Sequence, residues 1–155
     1  MVRPYEKNDL KDLARLRAAE WGSQEYWENR IAAYVDLSGG PQSALNRRTI
    51  LVSRIKNEEN ALAGFIAGHL SQRYDSQGEL QWINIHADYR QSGVASELLK
   101  HLAQWFIDQG ARKICVNVEP DNKAGIHFYA KHQATRLNDH WMIWEDISVM
   151  TEDLE

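Results

Sequence analysis

The chain has little cysteine and proline: one Cys and three Pro in 155 residues. A lone Cys115 excludes an intrachain disulfide, and its place in the apolar run Ile114 to Val118 reads as a buried, inert thiol rather than a nucleophile. Long apolar runs are also missing. Nothing approaches membrane-spanning length, and the first residues lack the charged-then-apolar profile of a secretion signal, so a soluble cytoplasmic protein with no membrane partner is expected. A basic excess is missing as well: 18 Lys and Arg stand against 22 Asp and Glu, a net charge of −4. That argues against a nucleic-acid partner, and a mildly acidic body suits a cationic amine ligand. No repeat, low-complexity tract or linker breaks the chain. At 43% hydrophobic, residues 1–155 read as one domain whose core needs no disulfide or metal.

Periodicity and capping signals divide the chain into elements. Asn8 or Asp9 can cap a first helix with Leu10, Leu13 and Leu16 on one face, and Ser23 a second running through Trp27, Ile31 and Val35 until Ser38 to Pro41 breaks it. Thr49 to Ser53 reads as a strand, Lys56 to Asn60 as a polar turn and Leu62 to Leu70 as the hairpin partner. After the turn Asp75 to Gly78 comes a fourth strand, Leu80 to His86. A third helix follows, with Val94, Leu98, Leu102 and Trp105 or Phe106 inward, ended by Gly110. Ile114 to Val118 is a fifth strand, Asp121 or Asn122 opens a fourth helix through Lys131, and Trp141 to Ile147 closes the sheet. This order predicts an α/β or α+β mixed sheet with helices on its faces. On the fourth strand, Ile83 and Ile85 share one face and Asn84 and His86 the other, unless a bulge alters the count.

The junction Arg90-Gln91-Ser92-Gly93-Val94-Ala95 is the most informative stretch. It joins a strand to a long helix, where backbone N–H groups lack intrahelical partners and the helix dipole favours an anion such as pyrophosphate. Gly93 permits close approach, and small Ala95 and Ser96 leave room. The Rossmann fingerprint needs three glycines where only Gly93 stands, and the Gly-Lys-Ser/Thr ending of a P-loop is absent. An ordinary strand-to-helix corner remains the bland alternative.

With its flanks, the stretch Ile83 to Ala95 resembles motif A of the GNAT superfamily of N-acetyltransferases, an apolar strand and polar loop followed by Gln/Arg-x-x-Gly-x-Gly/Ala. Val2-Arg3-Pro4 with Asp9 resembles the family's opening strand and first helix. Val116-Asn117-Val118, then Asn122, Ala124, Phe128 and Tyr129, resemble its fifth strand and fourth helix. The likeness runs from Val2 to about Ile147. It implies a mostly antiparallel sheet of about seven strands with about four helices, strands four and five splaying apart to admit the pantetheine arm of acetyl-CoA. It also implies a metal-free, acetyl-CoA-dependent transfer of acetyl to a primary amine of a small molecule or protein. A homodimer stays open.

The resemblance assigns the coenzyme to backbone groups of Ile83, Asn84 and Ile85, to Arg90, Gln91, Ser92, Gly93, Val94, Ala95 and Ser96, and to Asn122 and Tyr129. Glu79, six residues before Ile85, matches the general-base spacing of the histone-acetyltransferase branch; burial near an apolar cleft would raise its pKa toward the working range. Its bland reading is a charge ending a turn. Asn117 stands where the ribosomal-protein branch keeps a basic glutamate, and an amide cannot serve, which counts against that branch. His86 is the runner-up base. Tyr129, seven residues after Asn122, matches the tyrosine that protonates the leaving thiolate; a phenol of pKa about 10 suits that task. Core packing would explain Tyr129 otherwise, and capping alone would explain Asn122. Gln133-Ala134 replaces a common Gly-Phe pair and Ala87 a common proline. Trp21, Trp27, Trp82, Trp141 and Trp144 can include walls of an acceptor pocket, although core packing is the better reading for most of them. The competing reading is a non-catalytic acyl-CoA sensor or interaction domain, which would need neither Tyr129 nor Glu79.

Overall fold

The computed structural model describes residues 1–37, 42–55 and 61–151. The helix break at Ser38 to Pro41 and the turn at Lys56 to Asn60 lie outside them. The strands are β1 (Val2–Pro4), β2 (Ala44–Arg54), β3 (Leu62–Ser71), β4 (Gly78–Ile85), β5 (Ile114–Asn117), β6 (Thr135–Asn138) and β7 (Trp141–Trp144), and the helices are α1 (Leu10–Ala18), α2 (Gln24–Val35), α3 (Val94–Asp108) and α4 (Lys123–Lys131). They form one seven-stranded sheet in the order β1-β2-β3-β4-β5-β7-β6. Every neighbouring pair is antiparallel except β4 and β5, which α3 connects.

Local chemistry sets the helix ends. The Ser23 hydroxyl accepts the Tyr26 N–H at 3.0 Å and starts α2, and Asn122 Oδ1 accepts the Gly125 N–H at 2.9 Å and starts α4. A Cβ on Gly125 would lie 2.6 Å from the Asn122 side chain, so the glycine is what lets the cap fold back. Asp9 acts differently from the expected cap. It sits in a short 3-10 turn, Lys7–Asp9, where its carboxylate accepts the Glu6 N–H at 2.8 Å and both terminal nitrogens of Arg3 at 2.8 Å.

Each face of the sheet carries its own core. Leu98, Leu99, Leu102 and Phe106 of α3 pack on one face with Ile66, Leu80 and Val116. Leu13 and Ala14 of α1 and Trp27, Ile31 and Tyr34 of α2 pack on the other with Val52, Phe65, Ala67 and Trp82. The second helix buries Tyr34 rather than Val35, which is 40% exposed; the inward stripe steps by four and then three, so position 34 and not 35 closes it. Strand β6 escapes the sequence reading because all four residues are exposed and an edge strand with no buried face has no hydrophobic alternation to show.

Candidate active site

Strands β4 and β5 pair only at Gly78↔Ile114, Glu79↔Cys115 and Leu80↔Val116. Beyond Leu80 they part, so residues 82–85 bond to β3 on one edge and to no described strand on the other. A cleft of about 1250 Å³ opens at this point, with Ile83, Asn84 and Ile85 on one side and Val116 and Asn117 on the other. The unpaired edge can accept an extended ligand as an added strand would sit.

A bulge decides which side chains meet there. Gly68 of β3 is opposite Leu80 and Ala67 is opposite Trp82, leaving Gln81 as the extra residue. One inserted residue turns all later side chains over. Leu80 therefore joins the α3 core, whereas Trp82, two residues on, joins the α1/α2 core. As a result Glu79, Trp82 and Asn84 share the α1/α2 face, while Ile83 and Ile85 pack toward α3.

At the far end lies the strand-to-helix junction. Gly93 caps α3 at φ +88°, with no side-chain hydrogen bond to the cap. A Cβ there would meet nothing within 4 Å. The glycine is thus needed for its backbone angle, and the space beside it is open to a ligand. Arg90, Gln91, Gly93, Ala95 and Ser96 line the cleft. Ser92 and Val94 do not: the Ser92 hydroxyl donates to the Tyr89 carbonyl and Val94 packs on the α3 core. Arg90 is exposed, donates to the Ile85 carbonyl at 3.3 Å and pairs with Glu20 at 3.6 Å.

Glu79 lines the cleft and is 4% exposed. Burial pushes its carboxyl above the usual carboxylate value, opposed by Arg73, whose Nε donates to Oε1 at 2.9 Å. Behind it, His69 Nε2 is 3.8 Å from the same oxygen, and His69 Nδ1 is 3.0 Å from the Tyr34 hydroxyl. Burial, with Arg48 and Arg73, drives the His69 pKa down to about 4, so the ring is neutral. Burial likewise pushes Cys115 up to about 11, which makes it an unreactive thiol.

Tyr129 lines the same cleft, packed edge-on against Trp144 at 5.8 Å and Phe128 at 5.4 Å. Burial raises its phenol further above the ordinary value, and the Arg17 cation opposes that rise. Such a group holds its proton until a strong base such as a thiolate meets it. Asn122 is both the α4 cap and a cleft residue. Asn117 donates to the His140 carbonyl at 3.1 Å. His86 closes its own turn, its Nδ1 accepting the Asp88 N–H at 3.1 Å, and does not border the cleft.

Sequence reasoning missed Arg17, Arg30 and Arg73, which line the cleft, and His69 behind it. Two signals were available. Arg17 follows Leu13 by four on the buried stripe of α1, and His69 interrupts the apolar run of β3. The charge of the cleft also runs against that of the chain: Arg17, Arg30, Arg73, Arg90 and Lys131 line it against Glu20 and Glu79, although the whole molecule is at −4.

The model of the acetyltransferase (GNAT) family matches residues 9–134. An acetyltransferase of Sodalis glossinidius is 35% identical over 71 residues, 45% of this chain and 50% of that protein. One of Pectobacterium atrosepticum is 35% identical over 69 residues, 44% and 49% of the two chains. The match thus spans about half the length of these relatives. Among solved structures, an aminoglycoside antibiotic 6′-N-acetyltransferase of Acinetobacter haemolyticus superposes with a TM-score of 0.71 at 14% identity, over 89% of this chain and 92% of that one. The PaiA N-acetyltransferase of Thermoplasma acidophilum, in complex with coenzyme A, gives 0.66 at 16% identity over 94% and 98%. A spermidine N-acetyltransferase variant of Vibrio cholerae gives 0.67 at 16% identity over 100% and 99%. At these identities the likeness is one of fold.

Proposed function

This chain belongs to the GNAT acetyltransferase family, and from that membership we propose that residues 1–155 act as one domain that moves acetyl from acetyl-CoA to a primary amine by direct attack. The observation that carries the reading is the meeting, in one cleft, of Glu79, Tyr129 and the open α3 N-terminus. A module that merely bound an acyl-CoA would need no buried carboxylate and phenol facing the same space.

Acetyl-CoA supplies an activated acyl group and a thiolate leaving group. The residues present fit it: the bare N–H groups after Gly93 and the open space there suit a pyrophosphate, and the unpaired edge of Ile83, Asn84 and Ile85 suits an amide-bearing arm. Glu79 takes a proton from the incoming ammonium, directly or through one water, and burial makes it a better base for that task. The amine nitrogen then forms the new N–C bond as the C–S bond breaks. Tyr129 gives its proton to the departing sulfur. Of the two protons that the ammonium loses in becoming an amide, one replaces that of Tyr129 and the other passes from Glu79 to water. Cys115, buried and held as a thiol, takes no part.

Tyr129→Phe tests this reading. The ring that packs on Trp144 and Phe128 stays, so folding and acetyl-CoA binding, followed by thermal shift, should change little. Turnover, followed as free thiol, should fall by about 10²-fold. Loss of stability together with binding would mark Tyr129 as a core residue, and unchanged turnover would give the proton to another donor.

A further inference from the structure

The acidic body of this chain suggested a cationic acceptor, but on the α1/α2 side of the cleft the arginines outnumber the carboxylates. Two of the lining arginines have carboxylate partners, Arg73 with Glu79 at 2.9 Å and Arg90 with Glu20 at 3.6 Å. Arg17 and Arg30 are in no ion pair among the described residues. Both guanidinium groups flank the same indole: the Arg17 Cζ lies 5.8 Å and the Arg30 Cζ 5.4 Å from the Trp82 ring centre, and Arg17 also stacks on Trp27 at 4.3 Å. Contact with the indole faces holds the two cations in place while leaving most of their N–H donors unused. Arg17 spends one, from Nη1 to Asn84 Oδ1 at 2.9 Å, and its buried Nε has no partner.

Glu20 acts on Arg17 from beyond ion-pair distance but is itself engaged by Arg90, and retaining two cations this close together, one largely out of water, is costly unless a further anion joins them. The coenzyme phosphates do not account for the pair, because their seat at Gly93 is on the α3 side, whereas Trp82 and Asn84 face α1 and α2. Arg17 also lies within electrostatic reach of the Tyr129 phenol, so an anion held there would be near the reacting groups.

We propose that the acceptor is an amine that also carries a carboxylate, and that Arg17 and Arg30 hold the carboxylate so that the amine end is presented to Glu79 and Tyr129. The inference rests on the reading of the cleft as an acetyl-transfer site. A polycation such as a polyamine meets like charge at the same place and is disfavoured.

The test uses amine pairs that differ only in a carboxylate, lysine against cadaverine and ornithine against putrescine, with saturating acetyl-CoA and the full chain. The carboxylated member should have a kcat/KM at least about tenfold higher, and Arg30→Gln, a half-buried position on the helix surface, should reduce that preference about tenfold, the loss expected for a charge-assisted contact. Equal or better use of the diamines, or a preference that survives Arg30→Gln, would overturn the proposal. Binding gives a readout that needs no turnover: calorimetry with glutarate on the coenzyme A-loaded protein should show binding that weakens about tenfold or more in Arg30→Gln and in Arg17→Lys. Absence of glutarate binding overturns the anion site. Glutarate binding without acetylation of any amine supports the anion site and refutes the transfer reading alone.

Discussion

Replacing Glu79 by Gln changes almost no volume and removes one proton-accepting site. Three features of the structure set the expected size of the effect. The carboxylate is buried, its pKa is raised by that burial, and Arg73 opposes the rise through a 2.9 Å hydrogen bond. A positioned general base contributes about 10²- to 10⁴-fold, so Glu79→Gln should lower kcat/KM at neutral pH by at least about 10²-fold, equivalent to about 3 kcal/mol of transition-state stabilisation. The wild-type rate should rise with pH through the raised pKa of Glu79. The variant should lose that limb and recover only as the amine approaches its own pKa of about 10. Arg73→Gln removes the cation that holds the carboxyl down, so its limb should shift to higher pH, a movement that a purely structural Glu79 would not produce. Stability separates chemistry from unfolding. A carboxyl with a raised folded-state pKa favours the fold below its unfolded pKa, and that contribution is lost as pH rises through the folded value. Above that folded value the variant gives up an ionised group that burial disfavours, and its Tm there should hold or rise slightly. Wild-type rates at every pH, or an unmoved limb in Arg73→Gln, would refute the assignment of Glu79 as base.

Three further outcomes are expected. Gly93→Val places a β-branched residue at φ +88°, costing about 1–2 kcal/mol of strain, and should abolish the thermal shift by acetyl-CoA while leaving a cooperative melt; an undiminished shift would move the pyrophosphate elsewhere. Gln133 ends α4 at φ +77°, with the Ala134 N–H on the Tyr129 carbonyl at 3.0 Å and its own N–H on Ala130 at 2.9 Å, a geometry that suits glycine; Gln133→Gly should stabilise by about 0.5–1 kcal/mol and raise Tm by about 2–3 °C in a calorimetric scan. His69, held neutral with a pKa lowered to about 4, contributes stability above its unfolded value of about 6.5 that is lost as pH falls toward 4, on the order of 3 kcal/mol in all; urea midpoints between pH 7 and 4 should show this slope, and His69→Gln should flatten it.

Elements whose signals are local can be read directly from the order of residues. Ser23 and Asn122 cap helices through hydrogen bonds that reach three residues along the chain, and the α3 face repeats every three to four positions, so both can be read without knowing the fold. The junction at Gly93 is legible for the same reason, since a helix end leaves its N–H groups bare whatever surrounds it. Tertiary structure decided which side chains face one another. The extra residue at Gln81 exists only as a mismatch against β3, and it is what turns Trp82 and Asn84 to the side of Glu79. Arg17 meets Asn84 across 67 residues and Tyr34 meets His69 across 35. Such contacts depend on strand register and on how helices pack over the sheet, which no short window of sequence encodes. The charge of the cleft is of this kind: the chain is acidic as a sum over its surface, yet folding gathers Arg17 and Arg30 around Trp82 and leaves the cleft positive.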